Sequence, residues 1–173
     1  PRYKDNAEIP NGWTEIKDLE KEFGTKIETP LTNPLNGFKA KLFKNGDMYI
    51  LAFAGTELKD DEGNFNLKDA ITDGKQAFGL DDKEEGQYVD AVYLSNAIGS
   101  KIEEDNEKGG DKKLIITGHS LGGGLATIGG AKTGAETYTF NAAGVHEQTF
   151  KDQNVGIENT RHIHCLLYTS DAA

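Results

Sequence analysis

The alternation of hydrophobic and polar residues predicts a β-hairpin over residues 38–55. Every second residue from Phe38 to Leu42 is apolar, with lysines between, which is the period of a strand with one buried face. Asn45-Gly46 is a strong turn signal. The following stretch, MYILAFA, is almost continuously apolar, as expected for a strand covered on both faces.

The remaining segments predict helices and two more strands. The helices are predicted at residues 12–23, 66–79, 83–105 and 121–133, and the strands at 112–118 and 136–144. The first helix would bury one face made of Trp13, Ile16, Leu19 and Phe23. Strands that alternate with helices favour parallel pairing and right-handed crossovers. We therefore expect a single α/β domain over residues 1–173, with a mostly parallel sheet covered by helices on both faces and strand 113–118 parallel to 48–54.

Charge and composition exclude several classes of function. The net charge of −10 and the pI near 4.8 argue against nucleic acid as a partner and give no polybasic signal for anionic membranes. The mean hydropathy is −0.60, and no apolar run approaches the roughly 18 residues of a transmembrane segment. The single cysteine, Cys165, excludes an internal disulfide framework but does not fix the compartment. The oligomeric state and the localisation stay open.

The segment IITGHSLGGGLA, residues 115–126, carries the candidate chemistry. Gly118 to Gly122 fits G-x-S-x-G, between a predicted strand and a predicted helix. A serine on so tight a turn has strained backbone angles and an exposed hydroxyl, and side chains two residues away on either side would collide. These features predict Ser120 as a nucleophile, with the backbone N–H of Leu121 as half of an oxyanion hole. His119 is predicted to point away from Ser120 and to serve as packing or polar support.

This segment, together with AFAGTE at 52–57, resembles the class 3 lipases, which are α/β-hydrolases. The resemblance covers roughly residues 38–165 and is weaker at NLKDAITD (66–73) and TYTFNAAGV (137–145). It implies that the backbone N–H of Thr56 is the second oxyanion donor, although Ala54 stands where the family usually has arginine. The implied reaction is hydrolysis of a lipid or other acyl ester through an acyl-enzyme on Ser120, without cofactor or metal.

A serine nucleophile needs a base and an orienting acid, which in this fold follow in the order Ser, Asp or Glu, His. The acids after Ser120 are Glu136, Glu147, Asp152, Glu158 and Asp171, and the histidines are His146, His162 and His164. The resemblance places the acid after a strand at about 159–164 and the histidine later still. We therefore expect both beyond the native end of this chain, with His162 or His164 as a minor candidate for the base.

Both ends of the chain suggest a fragment. The chain begins with Pro1, which suggests a trimmed start, and CLLYTSDAA (165–173) looks like a non-native tail. The alternative for the tail is a genuine final strand from Ile163 to Tyr168. With the triad incomplete, we expect this chain to have little esterase turnover.

Other interpretations of the sequence remain open. The structural alternative is a glycine-rich turn with an incidental serine. GGAKT (129–133) resembles the end of a phosphate-binding loop, but Ala131 replaces its last glycine and the stretch lies within a predicted helix. The functional alternatives are a non-catalytic binding module on a hydrolase fold, and an acyltransferase or thioesterase.

Overall fold

The computed structural model describes residues 8–55 and 82–167. The strands are β1 (Thr14–Ile16), β2 (Thr32–Asn33), β3 (Phe38–Asn45), β4 (Met48–Phe53), β5 (Lys113–His119), β6 (Glu136–Phe140) and β7 (Ile163–Leu166). The helices are α1 (Leu19–Phe23), α2 (Asp82–Glu107), α3 (Leu121–Thr133) and α4 (Glu147–Asp152), and a 3-10 helix spans Ile157–His162. None of these helices is long and apolar enough to cross a membrane.

The strands form one sheet in the order β1-β3-β4-β5-β6-β7, with β2 paired to β3. The predicted hairpin is confirmed as the antiparallel pair β3–β4, and β4, β5, β6 and β7 run parallel to one another. The predicted pairing of strands 48–54 and 113–118 is also confirmed, in a register from Met48 opposite Lys113 to Phe53 opposite Gly118. The four parallel strands therefore end together. We call this end of the sheet the carboxyl edge, and the opposite end the amino edge.

Helices α2 and α3 cover one face of the sheet. Leu42, Leu51 and Ile116, which lie opposite one another on adjacent strands, are completely buried on this face. Leu94 and Ile98 of α2 and Leu125 and Ile128 of α3 are also completely buried. Burying each such side chain contributes about 1.5–3 kcal/mol, so this layer stabilises the domain. The mostly parallel α/β fold is thus confirmed, whereas the predicted helix 66–79 lies outside the described residues.

Glycines let α3 pack closely against its neighbours. A Cβ atom at Gly129 would overlap the hydroxyl of Ser95 in α2, and one at Gly130 would overlap the hydroxyl of Thr137 in β6. The segment GGAKT therefore lies within α3, and its two glycines are buried. The phosphate-loop interpretation is wrong, because these glycines are in a helix and not in a loop that exposes their backbone N–H groups.

The predicted helix over 12–23 is wrong in its first half. Residues 14–16 form β1, which pairs with β3 from Leu42 to Lys44. The helix begins only after Asp18, whose carboxylate accepts a hydrogen bond of 2.9 Å from the Lys21 N–H, and ends at Gly24. The hydrogen bond of the Asp18 side chain fixes the start of α1. The residues before α1 pair instead with the free edge of β3.

Two strands after Ser120 differ from their predicted bounds. The strand predicted at 136–144 ends at Phe140, because Asn141 takes a left-handed conformation with φ of 43°. The strand expected at about 159–164 is mostly the 3-10 helix, and β7 starts only at Ile163. By contrast, α3 has its predicted bounds, and α2 extends slightly beyond 83–105 at both ends.

Candidate active site

Ser120 occupies the turn between β5 and α3 at the carboxyl edge. Its backbone angles are φ 56° and ψ −125°, a conformation that is unfavourable for a residue with a side chain. The hydroxyl makes no capping hydrogen bond to the helix, although serine is a common capping residue. The predicted strain at this position is confirmed, and the hydroxyl is not used for local structure.

Hydrogen bonds from three segments fix the backbone of Ser120. Its N–H donates to the carbonyl oxygen of Phe140 at 3.1 Å. Its carbonyl oxygen accepts from the N–H groups of Gly123 and Ala143, both at 2.9 Å, and from that of Gly124 at 3.2 Å. The strained conformation therefore persists because the surrounding backbone determines it on both sides.

The two glycines of the motif are required by backbone packing, as predicted. A Cβ atom at Gly118 would overlap the carbonyl group of Gly122 across the turn. A Cβ atom at Gly122 would overlap the backbone of Phe53 and Ala54 at the end of β4. Since the overlapping atoms belong to the backbone, no rotation of a side chain would relieve them.

Gly55 brings the end of β4 against Ser120. A Cβ atom built on Gly55 would lie 2.8 Å from the His119 carbonyl oxygen and 3.5 Å from the Ser120 Cβ. Thr56, the predicted second oxyanion donor, lies outside the described residues, so its role stays a prediction. The position of its neighbour Gly55 agrees with that role.

Leu121 is the first residue of α3 and is almost completely buried. Its backbone N–H is one of the four at a helix start that have no carbonyl partner within the helix. The aligned peptide dipoles also favour negative charge at this end of a helix. Both effects suit the predicted role of the Leu121 N–H in binding an oxyanion.

His119 lies beside Ser120 in sequence but on the other face of the sheet. Gly118 faces α3, so the next side chain along the strand faces away from it. Burial lowers the pKa of the half-buried His119 imidazole, which keeps the ring neutral near pH 7. This placement matches the predicted packing or polar support.

The structure brings neither His162 nor His164 to the carboxyl edge. His162 ends the 3-10 helix at the amino edge, beside Lys132 and Gly134 at the end of α3. The His164 ring stacks on Tyr138, with centroids 4.8 Å apart, and its Nε2 lies 3.5 Å from a carboxylate oxygen of Glu136 at the amino-edge start of β6. His146 is the exposed residue before α4. Within the described ranges, no three His, Cys, Asp or Glu side chains are grouped to hold a metal ion.

Sequence reasoning missed the segment after β6. The turn at Asn141 places Ala142 beside Gly123, where a Cβ atom on the glycine would lie 2.7 Å from that of the alanine, and places the Ala143 N–H on the Ser120 carbonyl. The sequence signal was the pair of small residues Ala142 and Ala143 after the strand, together with the run of three glycines at the start of the helix. Small residues on both sides indicate close approach of two backbones.

Comparison with known proteins identifies the family. A family model described as phospholipase-like, Tle-like phospholipase domain, matches residues 2–168. The chain belongs to the Tle-like phospholipase domain family. An extracellular phospholipase A1 from Serratia liquefaciens is 39% identical over 114 residues, which cover 66% of this chain and 30% of that protein. The predicted lipase-like family is thus confirmed.

Solved lipase structures share the fold of this Tle-like phospholipase domain. A lipase from Rhizopus microsporus var. chinensis superimposes with a TM-score of 0.52 at 18% identity, covering 81% of this chain and 52% of the lipase. The extracellular lipase LipA from Serratia marcescens gives a TM-score of 0.50 at 15% identity, covering 91% of this chain and 27% of that protein. These similarities confirm the predicted α/β-hydrolase fold.

Proposed function

We propose that the protein is a serine hydrolase that cleaves carboxylic esters of phospholipids or related lipids through an acyl-enzyme on Ser120. The observation that carries this proposal is the strained backbone of Ser120, with φ of 56°, on a strand-to-helix turn. The Ser120 hydroxyl makes no capping hydrogen bond to the helix. A strained residue held by its surroundings is typical of functional sites. Membership of a phospholipase-like family and the similarity to a phospholipase A1 support the substrate class.

The chemistry follows from the geometry of the turn. Ser120 Oγ attacks the ester carbonyl carbon, and the carbonyl π electrons move onto its oxygen. The N–H groups of Leu121 and Thr56 bind this oxyanion, and removal of one such donor typically costs about 10²–10³ in rate. The tetrahedral intermediate collapses with loss of the alcohol, which takes up a proton, and water then hydrolyses the acyl-enzyme by the same steps.

The hydroxyl proton of Ser120 requires a base, and the positions of His162 at the amino edge and of His164 in β7 support neither of them in that role. Without a base, the oxyanion hole and binding still provide about 10³–10⁴ over the reaction in water. Reaction of Ser120 with a strong electrophile is therefore the most direct assay of the site in this chain.

The test is labelling by an alkyl fluorophosphonate, followed by peptide mass spectrometry. We expect slow phosphonylation of Ser120 and its complete loss in Ser120→Ala. Ser100→Ala is the matched control, because Ser100 is an exposed serine of α2, and this variant should label like the wild type. Labelling that persists in Ser120→Ala would exclude Ser120 as the nucleophile. If no residue reacts while the fold is intact, the non-catalytic binding module is favoured.

A further inference from the structure

The turn between β2 and β3 displays one large apolar side chain. Leu35 is 86% exposed, the most exposed large hydrophobic residue among those that the structure describes. Residues 29–38, TPLTNPLNGF, contain no charged side chain, although 28% of the whole chain is charged. Opposite charges, Glu28 and Lys39, flank this stretch. The segment that carries Leu35 is thus uncharged over ten consecutive residues.

Hydrogen bonds hold the turn in one conformation. The Asp90 carboxylate of α2 accepts from the side-chain amides of Asn33 at 2.9 Å and Asn36 at 2.8 Å. The side-chain amide of Gln87 donates to the Asn36 carbonyl oxygen at 2.8 Å. The Leu35 N–H donates to the Asn33 side-chain oxygen at 3.1 Å. Since the backbone is fixed, exposing Leu35 is a property of the folded structure and needs no conformational change.

The turn lies at the same edge of the sheet as Ser120. Because β3 runs antiparallel to β4, the start of β3 lies beside the end of β4, and the Ala54 N–H donates to the Lys39 carbonyl oxygen at 3.0 Å. The part of α2 that binds this turn through Gln87 and Asp90 also carries Tyr88, whose hydroxyl packs against Gly124 at the start of α3. One end of the molecule therefore displays both the candidate nucleophile and the exposed leucine.

We infer that Leu35 and its uncharged turn form an anchor that inserts into a lipid surface and brings the carboxyl edge to its substrate. The inference rests on the proposed function, because an enzyme that hydrolyses lipid esters has to reach a lipid surface. The net charge of −10 opposes binding to anionic lipid, so the surface is one of zwitterionic or neutral lipid. A fixed backbone lowers the entropy lost when the turn inserts.

The test is flotation of the whole chain with phosphatidylcholine vesicles over a series of lipid concentrations. We expect Leu35→Asp to weaken binding about tenfold or more, because a charge would replace the leucine side chain that inserts into the lipid. Ile157→Asp is the matched control, since Ile157 is 53% exposed but begins the 3-10 helix that leads to the amino edge, and it should bind like the wild type. Binding to phosphatidylglycerol vesicles should be weaker than to phosphatidylcholine.

A second measurement reports insertion directly. The only native tryptophan is Trp13, so in Leu35→Trp the added fluorescence should be quenched by brominated lipid, while that of the wild type should not. Ser120→Ala should bind vesicles normally. A wild type that binds vesicles but whose fluorophosphonate label persists in Ser120→Ala would therefore overturn the proposed chemistry and leave the anchor intact. Absence of vesicle binding by the wild type, unchanged binding by Leu35→Asp, equal loss in Ile157→Asp, or tighter binding to phosphatidylglycerol would overturn the inference. Self-association that Leu35→Asp abolishes without vesicles would assign the turn to a second copy instead.

Discussion

The contacts at the two edges of the sheet are made by different groups, by the backbone at the carboxyl edge and by side chains at the amino edge. At the carboxyl edge, backbone groups contact backbone groups: the Ser120 carbonyl oxygen accepts from the N–H groups of Gly123 and Ala143, and the motif glycines leave no room for a Cβ atom. This edge is specified by which residues lack side chains. A substitution there should therefore act through collisions or lost N–H groups.

At the amino edge, charged side chains make the contacts. The Glu22 carboxylate accepts hydrogen bonds from Lys44 Nζ at 2.5 Å and from the Tyr49 hydroxyl at 2.6 Å. Lys112, paired with Asp105, lies with its Nζ 5.9 Å from the centroid of the Tyr49 ring. These groups are partly exposed, so each contributes modestly to stability, at most about 1–2 kcal/mol. The candidate site therefore needs exact backbone placement, whereas the opposite edge tolerates exchange of side chains.

The largest expected effect is that of Gly118→Ala. The added methyl group would overlap the Gly122 carbonyl, and no flexible side chain can move away, so we expect a loss of more than about 4 kcal/mol in the free energy of unfolding. Gly144→Ala is the matched control because nothing lies within 4 Å of its Cβ position, and it should change stability by less than about 1 kcal/mol. Urea unfolding measures both. Similar values for the two variants would contradict the close packing at the turn that carries Ser120.

A second prediction tests whether this edge acts through its backbone. Thr56→Pro removes an N–H and should slow fluorophosphonate labelling of Ser120 by about 10²–10³, the usual effect of losing one oxyanion donor. Thr56→Ala keeps the N–H and should label within a few-fold of the wild type. The ratio of labelling rates is the measurement. Equal slowing by both variants would assign the role to the side chain of Thr56.

Much of the site was predictable because its signals are local. The strand, the tight turn and the helix around Ser120 lie within about twenty residues, and α3 has the bounds that the sequence predicted. The contacts that fix the turn are not local. Gly55 and Ala143 reach Ser120 from the segments that follow β4 and β6, and a single sequence does not state the register that brings them there.

The errors in the predicted fold have the same origin. Residues 12–23 have a helical period, but β3 offers a free edge that Thr14–Ile16 joins, and only the tertiary structure shows this edge. The histidines after Ser120 were ambiguous for a related reason. The pairing of His164 beside Tyr138 turns its ring toward Glu136, which depends on the register of β7.

A third prediction concerns the amino edge. Burial raises the pKa of Glu22, but the hydrogen bonds from Lys44 and Tyr49 outweigh it and leave the pKa below its ordinary value. This contribution to stability is therefore present above the ordinary pKa of a glutamate and is lost as the pH falls through the lower pKa of the folded state. Glu22→Gln should cost about 1–2 kcal/mol near pH 7.

The measurement is urea unfolding of Glu22→Gln and of the wild type at about pH 7 and at about pH 3. The difference in their free energies of unfolding should be smaller at the lower pH. Glu20→Gln is the matched control, an exposed residue of the same helix, and should have little effect at either pH. A constant difference between Glu22→Gln and the wild type across this range would show that ionisation of Glu22 does not stabilise the edge.

The smallest expected effect returns to Ser120 and has the opposite sign. A residue with a side chain held at φ 56° and ψ −125° stores about 1–3 kcal/mol of strain, which glycine does not. Glycine also makes the unfolded chain more flexible, at a cost of about 0.5–1 kcal/mol. The difference leaves Ser120→Gly more stable than the wild type by about 1 kcal/mol, although it removes the proposed nucleophile. Ser120→Ala keeps the strain and should unfold within about 0.5 kcal/mol of the wild type. If urea unfolding shows Ser120→Gly to be no more stable than Ser120→Ala, the turn stores no strain, and the carboxyl edge is no more constrained than the amino edge.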